Sequence, residues 1–428
     1  MSKIIKNNDL IFNTKIYLLS NIISASIPFA LLPILTRNLS TSEYGIIAIF
    51  QSLLAGFCSF VGISSQGAAS IKYYHRDIEE YEQKYYIGNC ILILLITTVL
   101  SFIFAMTYEK TILNWLHIDA ELLYISILIA SFNFIITIRM SQWQTRKQSK
   151  YYGIFQVAQN LFNFSLSIIL VIYYSLGFYG RVMALCITPI FFSAIALHLL
   201  HKDKLLGFAW RPQYLREIFI YGIPLIPHTT GYFLLSSVDR LIINNQLGMT
   251  QVGIYMVAFQ LTSAMSLVFD ALNNAYVPWL FERLKLEQIR IKYHIVNFTY
   301  LYWIGLIAIA IIAFLIGPTI IMIIAGEKYK SASEIIGWLA LGQVFHGMYL
   351  MVTNYILYSK RTGLLSFSTL SAGLVNICLL ILLIPIFKLK GAAIAFAISM
   401  GIKFLLTWII AQHNYPMPWS HFKTQLSK

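Results

Sequence analysis

Residues 295–316 read IVNFTYLYWIGLIAIAIIAFLI, an apolar run without one charged side chain. As a helix rising 1.5 Å per residue, such a run reaches about 33 Å, enough to cross a hydrocarbon core of about 30 Å. In lipid only the chain itself can satisfy its N–H and C=O groups, so a run of this length has to be helix. Comparable runs lie at 16–36, 44–66, 85–106, 121–141, 154–174, 178–199, 218–244, 253–275, 334–357, 363–384 and 390–411. Of the 428 residues, 58% are hydrophobic and 11% charged, against roughly 25% charged in a soluble domain. With a mean hydropathy of +0.71, the chain cannot cover itself with groups that suit water. The expected fold class is an all-α membrane protein of about twelve transmembrane helices. The connections between runs are short, so no extramembrane domain is expected.

A net charge of +14 in a soluble protein would point to nucleic acid. Here the basic residues sit in short loops, which is the positive-inside pattern, and no nucleic-acid partner is expected. With the N-terminus inside, 22 of the 31 Lys and Arg face the cytoplasm. They are Lys3, Lys6, Lys15, Lys72, Arg76, Lys84, Arg139, Arg146, Lys147, Lys150, Lys202 and Lys204, then Arg211, Arg216, Arg283, Lys285, Arg290, Lys292, Lys360, Arg361, Lys423 and Lys428. Seven face outward: Arg37, Lys110, Arg181, Lys328, Lys330, Lys388 and Lys390. Arg240 and Lys403 fall within runs. Both termini are therefore expected in the cytoplasm. Cys58, Cys90, Cys186 and Cys378 each lie in an apolar run with no CxxC pair, which suggests neither a disulfide framework nor a metal site. The first run ends in Leu35-Thr36-Arg37-Asn38 rather than in small residues, so no cleavable signal is expected.

The chain repeats itself. Arg37-Asn38-Leu39-Ser40-Thr41-Ser42-Glu43-Tyr44-Gly45 leads from the first run into the second. Asn245-Gln246-Leu247-Gly248-Met249-Thr250-Gln251-Val252-Gly253 does the same between the seventh and eighth, 208 residues later. The sixth run opens on Tyr179-Gly180-Arg181-Val182-Met183-Ala184 and the twelfth on Lys390-Gly391-Ala392-Ala393-Ile394-Ala395. Arg146-Lys147 has its counterpart in Lys360-Arg361. Six helices followed by six in the same orientation form a parallel repeat, a transporter plan. The expected division is 1–208 and 209–428, one six-helix bundle each.

Asp239-Arg240-Leu241-Ile242-Ile243, Leu247-Gly248 and Val252-Gly253-Ile254-Tyr255 resemble the seventh-to-eighth span signature of polysaccharide flippases. Those belong to the multidrug/oligosaccharidyl-lipid/polysaccharide exporter (MOP) superfamily. Leu39–Gly45 resembles the matching element after their first span, and Gly391–Ala395 the opening of their last. The resemblance implies two six-helix bundles around a central cavity in the bacterial inner membrane. It also implies transfer of undecaprenyl-diphosphate-linked oligosaccharide units from the cytoplasmic to the periplasmic leaflet, for O-antigen, lipopolysaccharide or a related glycan. The implied partners are the lipid-linked substrate, membrane lipid, a coupling ion (H+ or Na+) and polysaccharide-assembly proteins.

No catalytic motif is present: neither GxxxxGK[ST], nor HExxH, nor an Asp-x-Asp loop, so no enzyme activity and no cofactor are expected. Ionisable groups inside spans cost roughly 2.5–3.5 kcal/mol each on insertion scales and so draw attention to themselves. Lys403 lies near the middle of the twelfth run, Arg240 nearer the outer end of the seventh. Both are expected to line the path of an anionic headgroup, although structural pairing is the alternative for each. Asp239 is expected about 100° around the helix from Arg240, which makes a mutual pair awkward. His228 and His346 are weaker path candidates, since a membrane histidine usually serves packing. Arg37 and Arg181 suit interface anchoring as well as substrate contact. Asp270 is a candidate coupling-ion site or a buried structural carboxylate. Pro28 and Pro33 in the first run, and Pro224 and Pro227 in the seventh, are candidates for helix bending. A cation-coupled drug exporter of the same superfamily is the alternative function. It is disfavoured because runs one, two, three, five and six hold no Asp or Glu. A membrane-embedded polysaccharide polymerase is the second alternative, disfavoured by the lack of a large outer loop.

Overall fold

The computed structural model describes residues 7–75, 82–359, 361 and 363–421. Lys3, Lys6, Arg76, Lys360, Lys423 and Lys428 of the charge count lie outside the described residues. Among the described residues there are helices and turns but no strand. Twelve helical segments are long and apolar enough to cross a membrane. Numbered by chain order, spans one to six are Lys15–Asn38, Thr41–Tyr74, Gln83–Thr107, Ala120–Thr145, Ser149–Tyr173 and Gly177–Lys202. Spans seven to twelve are Pro212–Ser236, Met249–Leu284, Ile289–Ile324, Ile336–Tyr358, Gly363–Phe387 and Leu389–Asn414. The chain is thus a multi-pass membrane protein.

Several helices outrun their apolar cores. Spans eight and nine extend at both ends beyond 253–275 and 295–316, span eight on through Glu282 and Arg283 and span nine from Arg290 and Lys292 at its start to the apolar 317–324 at its end. Span two takes in Glu43, which the apolar run from 44 to 66 leaves out. Glu43 caps its own helix: its N–H donates to Ser40 Oγ at 3.2 Å, while Ser40 N–H donates back to Glu43 Oε2 at 2.8 Å. Such a reciprocal box satisfies two otherwise orphaned N–H groups. Span two is then interrupted at Gly62 and Ile63, whose φ values are 75° and 48°.

The repeated glycines share a physical role. A Cβ on Gly180, opening span six, would stand 2.8 Å from the Leu170 carbonyl oxygen near the end of span five. On Gly391, opening span twelve, it would stand 2.2 Å from the Leu383 carbonyl oxygen near the end of span eleven. In both halves the last helix of the bundle turns back against the one before it, backbone to backbone. Only a residue without a side chain permits that approach.

The chain forms two compact units, Met1–Thr230 and Gly231–Lys428. In the first, span four packs on spans two, three and six, and span one on span five. Ile87, Ile93, Leu94, Ala130, Ile138 and Leu200 fill its core. Buried Arg139 donates to Asp203 at the end of span six and lies 4.2 Å from the Trp143 ring centroid.

The segment between spans six and seven is fastened to span three. Gly207 N–H donates to the Lys84 carbonyl at 3.1 Å and Asn89 Nδ2 to the Ala209 carbonyl at 2.9 Å. Arg211 Nη1 and the Tyr214 hydroxyl donate to the two Glu82 oxygens, each at 2.8 Å. The Arg211 bond foremost, with the Tyr214 bond, holds the Glu82 carboxyl below its ordinary pKa. This fastening carries the start of span seven into the first unit. The compact units part after Thr230, within span seven.

In the second unit span ten packs on spans eight, nine and twelve. The segment after span twelve folds back on this core: the Tyr300 hydroxyl donates to the Trp419 carbonyl at 2.6 Å. The Trp419 ring stacks on Trp303 at 5.6 Å.

Candidate functional site

Span seven ends sooner than its apolar run suggests. It stops at Ser236, and Ser237 with φ −142° opens a separate helix, Val238–Leu247. Asp239 and Arg240 therefore sit in the first turn of a new helix rather than inside span seven. The first N–H groups of a helix have no partner within it. Asp239 Oδ1 accepts the Arg240 N–H at 2.8 Å, and Arg240 Nη1 donates to the same oxygen at 3.0 Å. The pair that an unbroken helix makes awkward is formed, because the carboxylate folds back over its own first turn. Tyr255 donates to Asp239 Oδ2 at 2.6 Å, and the Arg240 guanidinium lies 4.0 Å from the Phe259 ring centroid. Asp239 is wholly buried and Arg240 nearly so. Here the cation is balanced by a charge and covered by an aromatic face.

Lys403 is situated differently. It lies midway along span twelve, 5% exposed, with Nζ 3.9 Å from the centroid of the Tyr349 ring of span ten. Among the described residues no carboxylate stands within ion-pair range of it. Three residues before Tyr349, and so on the same face of span ten, His346 has its ring centroid 6.0 Å away. His346 Nε2 lies 3.3 Å from Asp270 Oδ1 of span eight. Two turns along span ten, Asn354 Nδ2 donates to Asn273 Oδ1 at 2.8 Å.

The fold thus brings together three residues that the sequence offered separately: Lys403, His346 and Asp270. It adds Tyr349, Asn273 and Asn354, which the reading by charge alone passed over. The spacing of His346 and Tyr349 was the available signal for the aromatic. The asparagines had none, since nothing in a single chain says that residues 273 and 354 meet. The row joins spans eight, ten and twelve with an ammonium at one end and a carboxylate at the other. That carboxylate is half exposed.

The remaining candidates lie apart from this row. Arg37 is exposed in the last turn of its helix. Arg181 is 8% exposed and ties span six to span five, donating to Asn163 Oδ1 and Ser167 Oγ, both at 2.6 Å. His228 is half-buried in the helix Ile226–Ser236. Pro224 lies in a 3-10 turn, Ile223–Leu225, that separates Pro212–Gly222 from Ile226–Ser236, and Pro227 is the second residue of the latter helix. Pro28 and Pro33 lie inside one unbroken helix, Asn7–Asn38. Among the described residues no group of three or more His, Cys, Asp or Glu could hold a metal ion.

Known structures share this architecture. The lipid II flippase MurJ in an inward closed conformation superposes with a TM-score of 0.75 at 14% identity, covering 94% of this chain and 87% of that one. An inward-facing multidrug resistance MATE transporter of the MOP superfamily gives 0.69 at 13% identity, covering 92% and 97%. Two Haemophilus influenzae proteins are similar in sequence. One, named an uncharacterized membrane protein, is 24% identical over 86% of this chain and 88% of its own length. The other, Lsg locus putative protein 1, is 25% identical over 86% and 90%. Residues 10–284 match the family described as polysaccharide biosynthesis protein. With well over half of its length matched, and the fold of MOP-superfamily transporters throughout, the chain belongs to the polysaccharide biosynthesis protein family.

Proposed function

We propose that this protein carries undecaprenyl-diphosphate-linked oligosaccharide units from the cytoplasmic to the periplasmic leaflet of a bacterial inner membrane by alternating access. Both termini lie in the cytoplasm, and the product serves O-antigen or a related surface glycan. The observation that carries this reading is Lys403, a cation midway along a span, held by an aromatic ring and unbalanced by any carboxylate among the described residues. A diphosphate crossing hydrocarbon requires such a charge, and requires it to grip only moderately so that the headgroup leaves again. Arg240, neutralised by Asp239, is assigned to holding the fold and not to the path. The partly exposed Asp270–His346 pair is placed beside Lys403 on the path. Membership of the polysaccharide biosynthesis protein family supports a glycan cargo.

The reading as a drug exporter draws support from the MATE-like fold alone. Against it, Glu43, the acidic residue that the longer span two adds, is used in capping its own helix. Deletion in the native host, with no redundant flippase, is expected to abolish surface glycan and to leave lipid-linked units on the cytoplasmic leaflet. Normal surface glycan in that strain would overturn the proposal, and drug sensitivity in its place would favour the exporter.

A further inference from the structure

The first half of span seven carries a groove that the path through Lys403 does not use. Pro212, Leu215, Phe219, Ile220, Ile223 and Pro224, successive turns of one helix, line a shallow, open hollow of about 560 Å³. One polar residue, Arg216, joins them. The back of the same helix is fixed: Tyr214, Ile218 and Gly222 are buried, and a Cβ on Gly222 would strike the Ile63 carbonyl at 2.2 Å. The neighbouring charges are already paired, Glu217 with Lys72 at 2.9 Å and Arg211 with Glu82 at 2.8 Å. Arg216 is exposed and, among the described residues, has no carboxylate within ion-pair range.

From Pro212 to the 3-10 turn at Pro224 the helix rises about 18 Å, a little over half the hydrocarbon core. The charge distribution sets its Arg216 end at the cytoplasmic face. An apolar trough with one guanidinium at its wet end matches an amphiphile with a phosphate head. A single trough takes a single chain, whereas a phospholipid has two. A guanidinium also matches phosphate oxygens two at a time.

We propose that this groove holds the polyprenyl tail of the lipid-linked substrate, with Arg216 gripping the diphosphate at the cytoplasmic surface; the assignment rests on the flippase reading. Substrate docks here by its lipid before the headgroup enters the protein. The test uses the full chain in lipid nanodiscs, with Ile220→p-benzoylphenylalanine as photo-crosslinker and radiolabelled undecaprenyl diphosphate as probe. The same replacement at Ile304, exposed on span nine, reports bulk lipid. Ile220 is expected to capture the probe, and excess phosphatidylglycerol is expected not to compete. Arg216→Ala should cut capture about tenfold or more, as loss of a charge-assisted hydrogen bond implies, and Arg216→Lys should restore part of it.

Equal capture at Ile220 and Ile304, indifference to Arg216, or equal competition by phosphatidylglycerol would each overturn the groove. Sugar export measured separately keeps the two readings distinct. Export that continues without groove capture removes the groove alone. Groove capture in a protein whose deletion leaves surface glycan intact supports the groove and removes the transport reading.

Discussion

Two basic residues that look alike along the chain stand in opposite electrostatic situations. Arg240 has Asp239 at 3.0 Å, so removing the carboxylate leaves a buried, unbalanced guanidinium. Breaking a buried pair from one side costs about 3–5 kcal/mol. Asp239→Ala should therefore lower the amount of folded protein in the membrane, read by detergent-solubilised yield and melting temperature. Lys403 lies against the Tyr349 ring and, among the described residues, has no carboxylate within ion-pair range, so Lys403→Ala removes an unbalanced charge and should leave folded protein undiminished. Surface glycan should fall strongly in that variant and return in part with Lys403→Arg. If Lys403→Ala instead lost folded protein and Asp239→Ala did not, the two roles would be reversed. The helical-wheel argument that separated Asp239 from Arg240 assumed an unbroken span. The break falls at Ser237, after Ser236 and before Val238, where no apolar periodicity marks it, so the pairing could not be read from sequence.

At the scale of the helix, the legible feature was the repeat: Gly180 and Gly391 announced matching positions in the two halves. The box between Ser40 and Glu43 emerged only with the structure. The reason for the glycines, a carbonyl of the preceding span within 3 Å of where a Cβ would sit, lies in the packing of the two helices. Gly391→Ala should force spans eleven and twelve apart, at about the 1–3 kcal/mol typical of overpacking. A drop in melting temperature checks this. Four prolines offered bends, but the 3-10 break lies beside Pro224 and Pro227 only; the helix through Pro28 and Pro33 runs on.

The Glu82–Arg211–Tyr214 clasp gives the start of span seven a pH dependence of known sign. The carboxyl of Glu82 titrates lower in the folded protein than in the unfolded chain. The clasp's contribution is thus present above the ordinary carboxylate range and is lost as pH falls through the lowered value. Glu82→Gln should flatten that acid-side loss of thermal stability. A wild-type slope unchanged by the substitution would rule the clasp out as its source.

Over the whole molecule, the twelve spans and their order were legible because long apolar runs in lipid have one backbone solution. The contents of the row from Lys403 to Asp270 were half legible. Charge inside a span flags a residue, but its neighbours come from spans eight and ten, distant in sequence. Hydrogen bonds, together with Leu205, Tyr214, Leu215 and Ile218 in the first unit's core, carry the segment after span six onto span three, a set of neighbours that no apolar period in the chain announces. The charge split predicts a topology with both ends inside, and a reporter fused after Lys428 should be inactive in the periplasm; an active one would reject that orientation.

The central claim, movement of a lipid-linked glycan past Lys403, is tested most directly by leaflet location in living cells. Undecaprenyl-diphosphate-linked units can be labelled metabolically and then cleaved by a membrane-impermeant glycosidase added to spheroplasts. With the wild-type protein the labelled sugars should become accessible to the enzyme. With the deletion, or with Lys403→Ala at normal protein level, they should stay protected until the membrane is opened. Equal accessibility in all three strains, with no second flippase present, would contradict the account.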